Sequence, residues 1–329
     1  MTITRRSLTL GALAVGAAVG APLNAARAET FNVRMTGQHR NFLRGQGFAI
    51  PTYHVNFITS QQATSVMSIG ARARLAMVMQ GPDQALMRRL TNEAYADLRS
   101  QMEAAGLSLV SAEETRRVAR EAGLAELPGN MEIDGIGPGV TVGSSLRSGW
   151  ITFGPDAAPA LTALKGLRTP GLGMIGSVQA LTPLNRRPEL VDKVALAPSL
   201  VLDFARMQAA RPGLFGGAAS TSGNVAFGVL ASSQINAQKP ARLGLGTPGA
   251  FRPREDVFSA TPFAEVVQGG AAVRAGASFA DTIDENYQAV QRARGDAVMI
   301  NIPVWEGLVR DAFRGYNAAI VQAVVSQQG

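Results

Sequence analysis

Tyr53-His54-Val55-Asn56-Phe57-Ile58-Thr59 alternates side chains with the period of a half-buried β-strand. Ala71-Arg72-Ala73-Arg74-Leu75-Ala76-Met77 alternates again, with both arginines on one face. The polar stretch Gln61-Gln62-Ala63-Thr64-Ser65 lies between them, so the two strands are expected to pair across it. The period then changes. Pro82-Asp83 offers an N-cap, and Leu86, Leu90, Ala94, Leu98 and Met102 recur every four residues, with Met87 and Tyr95 widening the stripe. Gly106 ends this amphipathic helix.

Outward from that unit, Leu107-Ser108-Leu109-Val110-Ser111 reads as a strand, and Ser111-Ala112-Glu113-Glu114 is a capping box that opens a second helix ending near Gly123. Residues 127–149 are Gly-rich and predict a surface loop or hairpin, with 128–149 the natural place for an internal boundary. Trp150-Ile151-Thr152-Phe153 reads as a strand, and Asp156 as the cap of a short helix reaching Lys165, before a second Gly/Pro-rich stretch at 166–183. Residues 194–207 and 225–230 predict a strand, a small-residue loop and a returning strand. Val266-Val267 suggests a short strand, 280–293 a helix capped by Ser278, and 297–302 a further strand. A terminal helix carries Leu308, Val309, Ala312, Phe313, Tyr316, Ile320 and Val324 on one stripe. Strands and helices alternate only in part, which favours an α/β (α+β) domain with a mixed sheet, antiparallel hairpins and flanking amphipathic helices over a doubly wound parallel sheet.

The first residues have another purpose. Arg5-Arg6-Ser7-Leu8 precedes an apolar run of about 16 residues, shorter than the ~20 that span a bilayer, and Ala26-Arg27-Ala28 supplies a small-residue cleavage site. Arg5 and Arg6 followed by Leu8 resemble a twin-arginine export signal, which implies export in the folded state. Residues 1–28 are therefore expected to be a cleaved signal peptide and 29–329 a single periplasmic domain without a membrane span.

Composition narrows the partners. The net charge is +7, and removing Arg5, Arg6 and Arg27, with no acid among residues 1–28, leaves +4. The lysines Lys165, Lys193 and Lys239 are scattered, so neither nucleic acid nor an anionic membrane surface is expected. The chain has no cysteine, hence no disulfide framework and no lipid anchor on a thiol. At 46% hydrophobic and 17% charged residues it can fill a core by burial alone.

Catalytic and cofactor motifs lack their contexts. Gly171-Leu172-Gly173-Met174-Ile175-Gly176 satisfies G-x-G-x-x-G, but Pro170 stands where a strand should end and Pro183 cuts the helix that should follow. Gly244-Leu245-Gly246-Thr247-Pro248-Gly249 repeats the pattern with a proline inside, as expected by chance in a chain with 36 glycines. His39 and His54 are the only histidines, and with no cysteine they form no usual structural zinc set. His54 reads as a surface or hydrogen-bonded strand histidine. Ser220-Thr221-Ser222 lies in a turning loop rather than a nucleophile elbow. Glu113-Glu114 and Glu255-Asp256 have helix-start and loop explanations. Asp203, in an apolar run, is expected on a solvent face, with burial against an arginine as the alternative. Arg72 and Arg74 form a small basic strand face that could meet an anionic ligand or stand as a solvated edge.

The helix Ala94-Tyr95-Ala96-Asp97-Leu98, running through Ala104-Ala105-Gly106 into Leu107-Ser108-Leu109-Val110 and a new helix, resembles the core unit of envelope proteins of the curli-secretion lipoprotein and TolB amino-terminal type. That resemblance implies a non-catalytic binding or assembly role in the cell envelope, with residues 200–230 as the strands that follow. The expectation is an exported, cofactor-free protein whose partner is an envelope protein, a small ligand or further copies of the chain. The alternative is a periplasmic enzyme, either a hydrolase or a nucleotide-dependent oxidoreductase.

Overall fold

A computed structural model of the chain describes residues 31, 33–37, 43, 46–66, 72–127, 131–136, 144–162, 181–209, 221–239, 247–268 and 295–328. The strands are β1 (Val33–Gly37), β2 (Gly47–Ala49), β3 (His54–Val66), β4 (Arg72–Gln80), β5 (Met131–Ile136), β6 (Ser144–Phe153), β7 (Lys193–Ala209), β8 (Thr221–Val229), β9 (Gln234–Lys239), β10 (Thr247–Pro253), β11 (Val257–Phe258), β12 (Ala264–Val267) and β13 (Asp296–Ile300). The helices are α1 (Gln84–Ala104), α2 (Ala112–Glu121) and α3 (Ile302–Val325), with short 3-10 turns at Thr182–Arg186 and Pro188–Leu190. All these strands join one mixed sheet, parallel at β2/β7, β3/β7 and β4/β13 and antiparallel elsewhere, so the α/β reading holds.

β3 organises the sheet. One edge pairs with β6 along nearly its whole length. On the other edge His54–Phe57 run parallel to Ser199–Leu202 of β7, and from Ser60 onward β4 takes over in antiparallel register, Ser60 opposite Val78 and Val66 opposite Arg72. The expected pairing of the first two strands is present, but Gln61–Ser65 belong to β3 rather than to a connection. β7 is lined on its outer edge by β9 and then β8, successive halves of one antiparallel return. This is the hairpin read between 200 and 230.

Two layers cover the sheet. Along β7, Val194 and Leu196 join the main core while Ala195 and Ala197 join a smaller one, as strand alternation requires. The main core packs Val55, Phe57 and Phe153 under α1 (Met87, Leu90, Ala94, Leu98) and α3 (Trp305, Val309, Phe313, Tyr316, Ile320), with the Phe57 and Trp305 ring centroids 5.9 Å apart. The smaller core places Val118 and Ala119 of α2 with Leu161, Leu184 and Leu190.

The caps follow the sequence. Asp83 Oδ1 accepts from Leu86 N at 2.7 Å, and Ser111 Oγ accepts from Glu114 N at 3.1 Å. Gly106 stops α1 in the left-handed region at φ 74°, which favours glycine.

Several expectations need correction. Residues 107–111 form only an isolated parallel bridge, Leu109 with Phe48, rather than a strand. Asp156 caps no helix in the described segment; it sits in a turn, its N–H donated to Asn92 Oδ1 at 2.9 Å. The Gly-rich stretch, by contrast, holds the β5–β6 hairpin, one of the two forms expected of it, and β6 is paired within the main sheet. Thr247–Gly249 of the second glycine motif begin β10. The first glycine motif, His39, Ser220 and the helix expected at 280–293 lie outside the described residues.

Candidate functional site

The end of β6 leaves the sheet through Gly154-Pro155, and the chain turns back on itself so tightly that a Cβ at Gly154 would fall on the backbone of Pro159 and Ala160. That close approach opens a cleft of about 300 Å³ between the turn, α1 and α2. Phe153, Leu127 and Pro159 give it apolar walls, and Arg88, Arg116, Glu126 and Asp156 charge its rim. A second, wider depression of about 710 Å³ runs along α2 past Glu113, Arg117, Arg120 and Ala157, and Arg116 lines both.

The charges here are already matched. Arg88 lies 3.8 Å from Asp156 and carries its guanidinium carbon 5.8 Å from the Phe153 ring centre. Arg116 and Arg120 reach Glu126 at 3.5 and 2.8 Å, and the Arg120 hydrogen bond is the main cause that holds the Glu126 carboxyl below its ordinary pKa. Arg117 meets Glu114, Glu121 and Glu189 at 2.7, 2.5 and 3.3 Å, which lowers the Glu114 carboxyl. Two hydroxyls line the depressions: Thr152 Oγ1 donates to Asn56 Oδ1 at 2.7 Å, and Ser111 Oγ accepts from Glu114 N at 3.1 Å. The arrangement can hold a partner carrying both signs of charge.

No family model, characterised protein or solved structure matches this chain. The site therefore stands on its own geometry. Among the described residues no cluster of three or more His, Asp or Glu side chains could hold a metal ion, and no helix is long and apolar enough to cross a membrane.

Of the residues singled out in the sequence, Arg5, Arg6, Ala26 and Ala28 lie outside the described residues. Arg72 and Arg74 sit at paired positions of β4, opposite Val66 and Thr64. On the other side of β4, β13 runs beside Met77–Gln80, beyond both arginines. His54 is buried, its Nε2 accepting from Leu161 N at 3.0 Å. Asp203 is the clear correction. It is only 5% exposed, and among the described residues it meets no arginine: Oδ1 accepts from Phe204 N and Ala205 N, and Oδ2 from Gln61 Nε2 at 2.6 Å. Burial, the dominant cause, pushes its pKa up to about 7 against those three donors.

The cleft itself was not read from the sequence. Its available signal is the density of charge at i, i+3 and i+4 on α2, from Glu113 to Glu121, of which Glu113-Glu114 alone read as a helix start.

Proposed function

We propose that the protein is an exported, cofactor-free binding component of the cell envelope, and that it engages a polypeptide partner along α2 and the adjoining cleft. The supporting observation is Arg116, which lines both depressions and links the α2 ion pairs to the Arg88–Asp156 rim. A surface of exchangeable ion pairs around an apolar cleft suits a partner of mixed charge, which can trade one set of pairs for another without stranding a charge. The resemblance of the α1–Gly106–α2 unit to envelope assembly proteins and the twin-arginine-like leader support the same reading.

The test is native mass spectrometry of the chain purified from periplasm, beside the charge-reversed double variant Arg116→Glu/Arg120→Glu. The expected result is a complex with a second polypeptide, or a whole-number multiple of the chain, that the variant loses. A bare single chain in both samples overturns the assembly reading, and extra mass matching a nucleotide, flavin or metal overturns the cofactor-free one.

A further inference from the structure

Asp203 stands where the sheet divides. Phe57 of β3 is still paired with Leu202 of β7, but β3 is irregular between Ile58 and Ser60 and β7 between Asp203 and Ala205, and beyond those points they have different partners. β3 continues with β4, and β7 with β8. The β7–β8 arm then lies against the other: a Cβ at Gly223 would come within 3.2 Å of the Leu75 and Met77 side chains of β4. Among the described contacts, the Gln61–Asp203 hydrogen bond is a side-chain tie between β3 and β7 just past the division.

We propose that Asp203 and Gln61 form a pH-responsive clasp at this fork, which holds the β7–β8 arm against the β3–β4 arm when Asp203 is protonated and loosens as its carboxylate ionises. The chemistry of the pair supports two states. Gln61 Oε1 is buried without a hydrogen-bond partner. Rotating that amide by half a turn presents Oε1 to a protonated Asp203, which then donates to Gln61 while Oδ1 keeps the Phe204 and Ala205 amides. After ionisation the carboxylate still has its donors, but the charge is enclosed, and Asp256, ahead of β11, adds a repelling negative charge. Among the described side chains Arg206 is the nearest cation along β7; its guanidinium lies over the Phe258 ring, 5.6 Å from the centre.

Opening the arm lets Asp203 return to an ordinary carboxylate value near 4. Between that value and about 7 the closed fork holds a proton the open one has lost, so opening becomes easier as pH rises and then levels off. Amide hydrogen exchange at a series of pH values, corrected for intrinsic rates, reads this directly. Amides of residues 206–209 and 222–228 are expected to lose protection about tenfold per pH unit from 5 to 7 and to plateau above 7. Amides of Ser199–Leu202, below the fork, are expected to follow a shallower course. In Asp203→Asn, which keeps an acceptor for the backbone amides and a donor for Gln61 Oε1, the slope in the arm is expected to vanish. A flat wild-type profile, an identical slope above and below the fork, or an unchanged slope in the variant would each overturn the proposal. The comparison within the wild-type chain suffices if the variant does not fold.

Discussion

Tyr53 Oη donates to Asn317 Oδ1 at 3.2 Å, and that one contact joins the strand layer to α3 across the main core. Asn317 Nδ2 then donates to Ala94 O at 3.0 Å and to Asp97 Oδ2 at 2.8 Å on α1. The segment that enters β3, α1 and α3 thus meet on one fully buried amide. Burial raises the Tyr53 phenol well above its ordinary value, with the Asp97 charge adding to the effect, so the phenol stays a neutral donor.

Asn317→Ala removes both functions of that amide and leaves a void. A loss of about 2–4 kcal/mol is expected in urea unfolding, because Tyr53 Oη loses its acceptor, Ala94 O and Asp97 Oδ2 each lose a donor, and a void is left in the core. Tyr53→Phe, which deletes a single hydrogen bond and keeps the ring, is expected to cost about 1 kcal/mol. Equal costs for the two variants would mean that Asn317 does not couple the layers.

The pH profile of stability carries a second prediction. Asp203 has a folded pKa of about 7, above its unfolded value near 4, so the folded chain keeps a proton through the interval where the unfolded chain has lost it. Its contribution is full below about pH 4, falls by about 1.4 kcal/mol per pH unit up to about 7, and is flat above. Glu93, Glu114 and Glu126, whose folded values are lowered, act in the opposite sense at the acid end. Denaturant unfolding of wild type minus Asp203→Asn, from pH 4 to 8, isolates the Asp203 part. A difference that rises with pH would contradict it.

Legibility from sequence followed the rule that one face is buried and the other wet. α1 and α3 obey it, so their stripes, from Leu86 to Met102 and from Val309 to Val324, predicted them. β3 breaks it. His54, Asn56, Gln61 and Gln62 are buried although polar, because the sheet is covered on both faces and divides along this strand. Gln61–Ser65 therefore read as a connection by polarity alone, and Asp203 reads as a solvent residue. The short strands β2, β9 and β11 are recruited by the edges of β7 and β8, and such pairing leaves no local periodicity to read.

α1 and α3 also share a closed ring of ion pairs. Arg89 meets Glu93 and Glu306 at 2.9 and 3.1 Å, and Arg310 meets the same two at 2.7 and 3.0 Å. The Arg310 hydrogen bond is the leading cause that lowers the Glu93 carboxyl. These side chains are partly exposed, so screening limits the gain. Arg310→Met is expected to cost about 1 kcal/mol or less, shrinking further in 1 M salt. A larger loss that salt leaves unchanged would point to packing of the aliphatic stem instead.

The cleft depends on a missing side chain. Gly154 passes so close to Pro159 and Ala160 that the smallest addition must displace backbone, not a flexible side-chain end. The displaced segment carries Pro159 O, which accepts from Thr52 Oγ1 at 2.7 Å, and Ala158 O, which accepts from Tyr53 N at 3.1 Å. Shifting it therefore disturbs the entry to β3 as well as the cleft wall. Gly154→Ala is expected to lower stability by about 1–3 kcal/mol and to weaken any complex that Arg116→Glu/Arg120→Glu also weakens. If the substitution leaves both stability and the complex intact, the turn is looser than its geometry implies and the cleft is not the partner's seat.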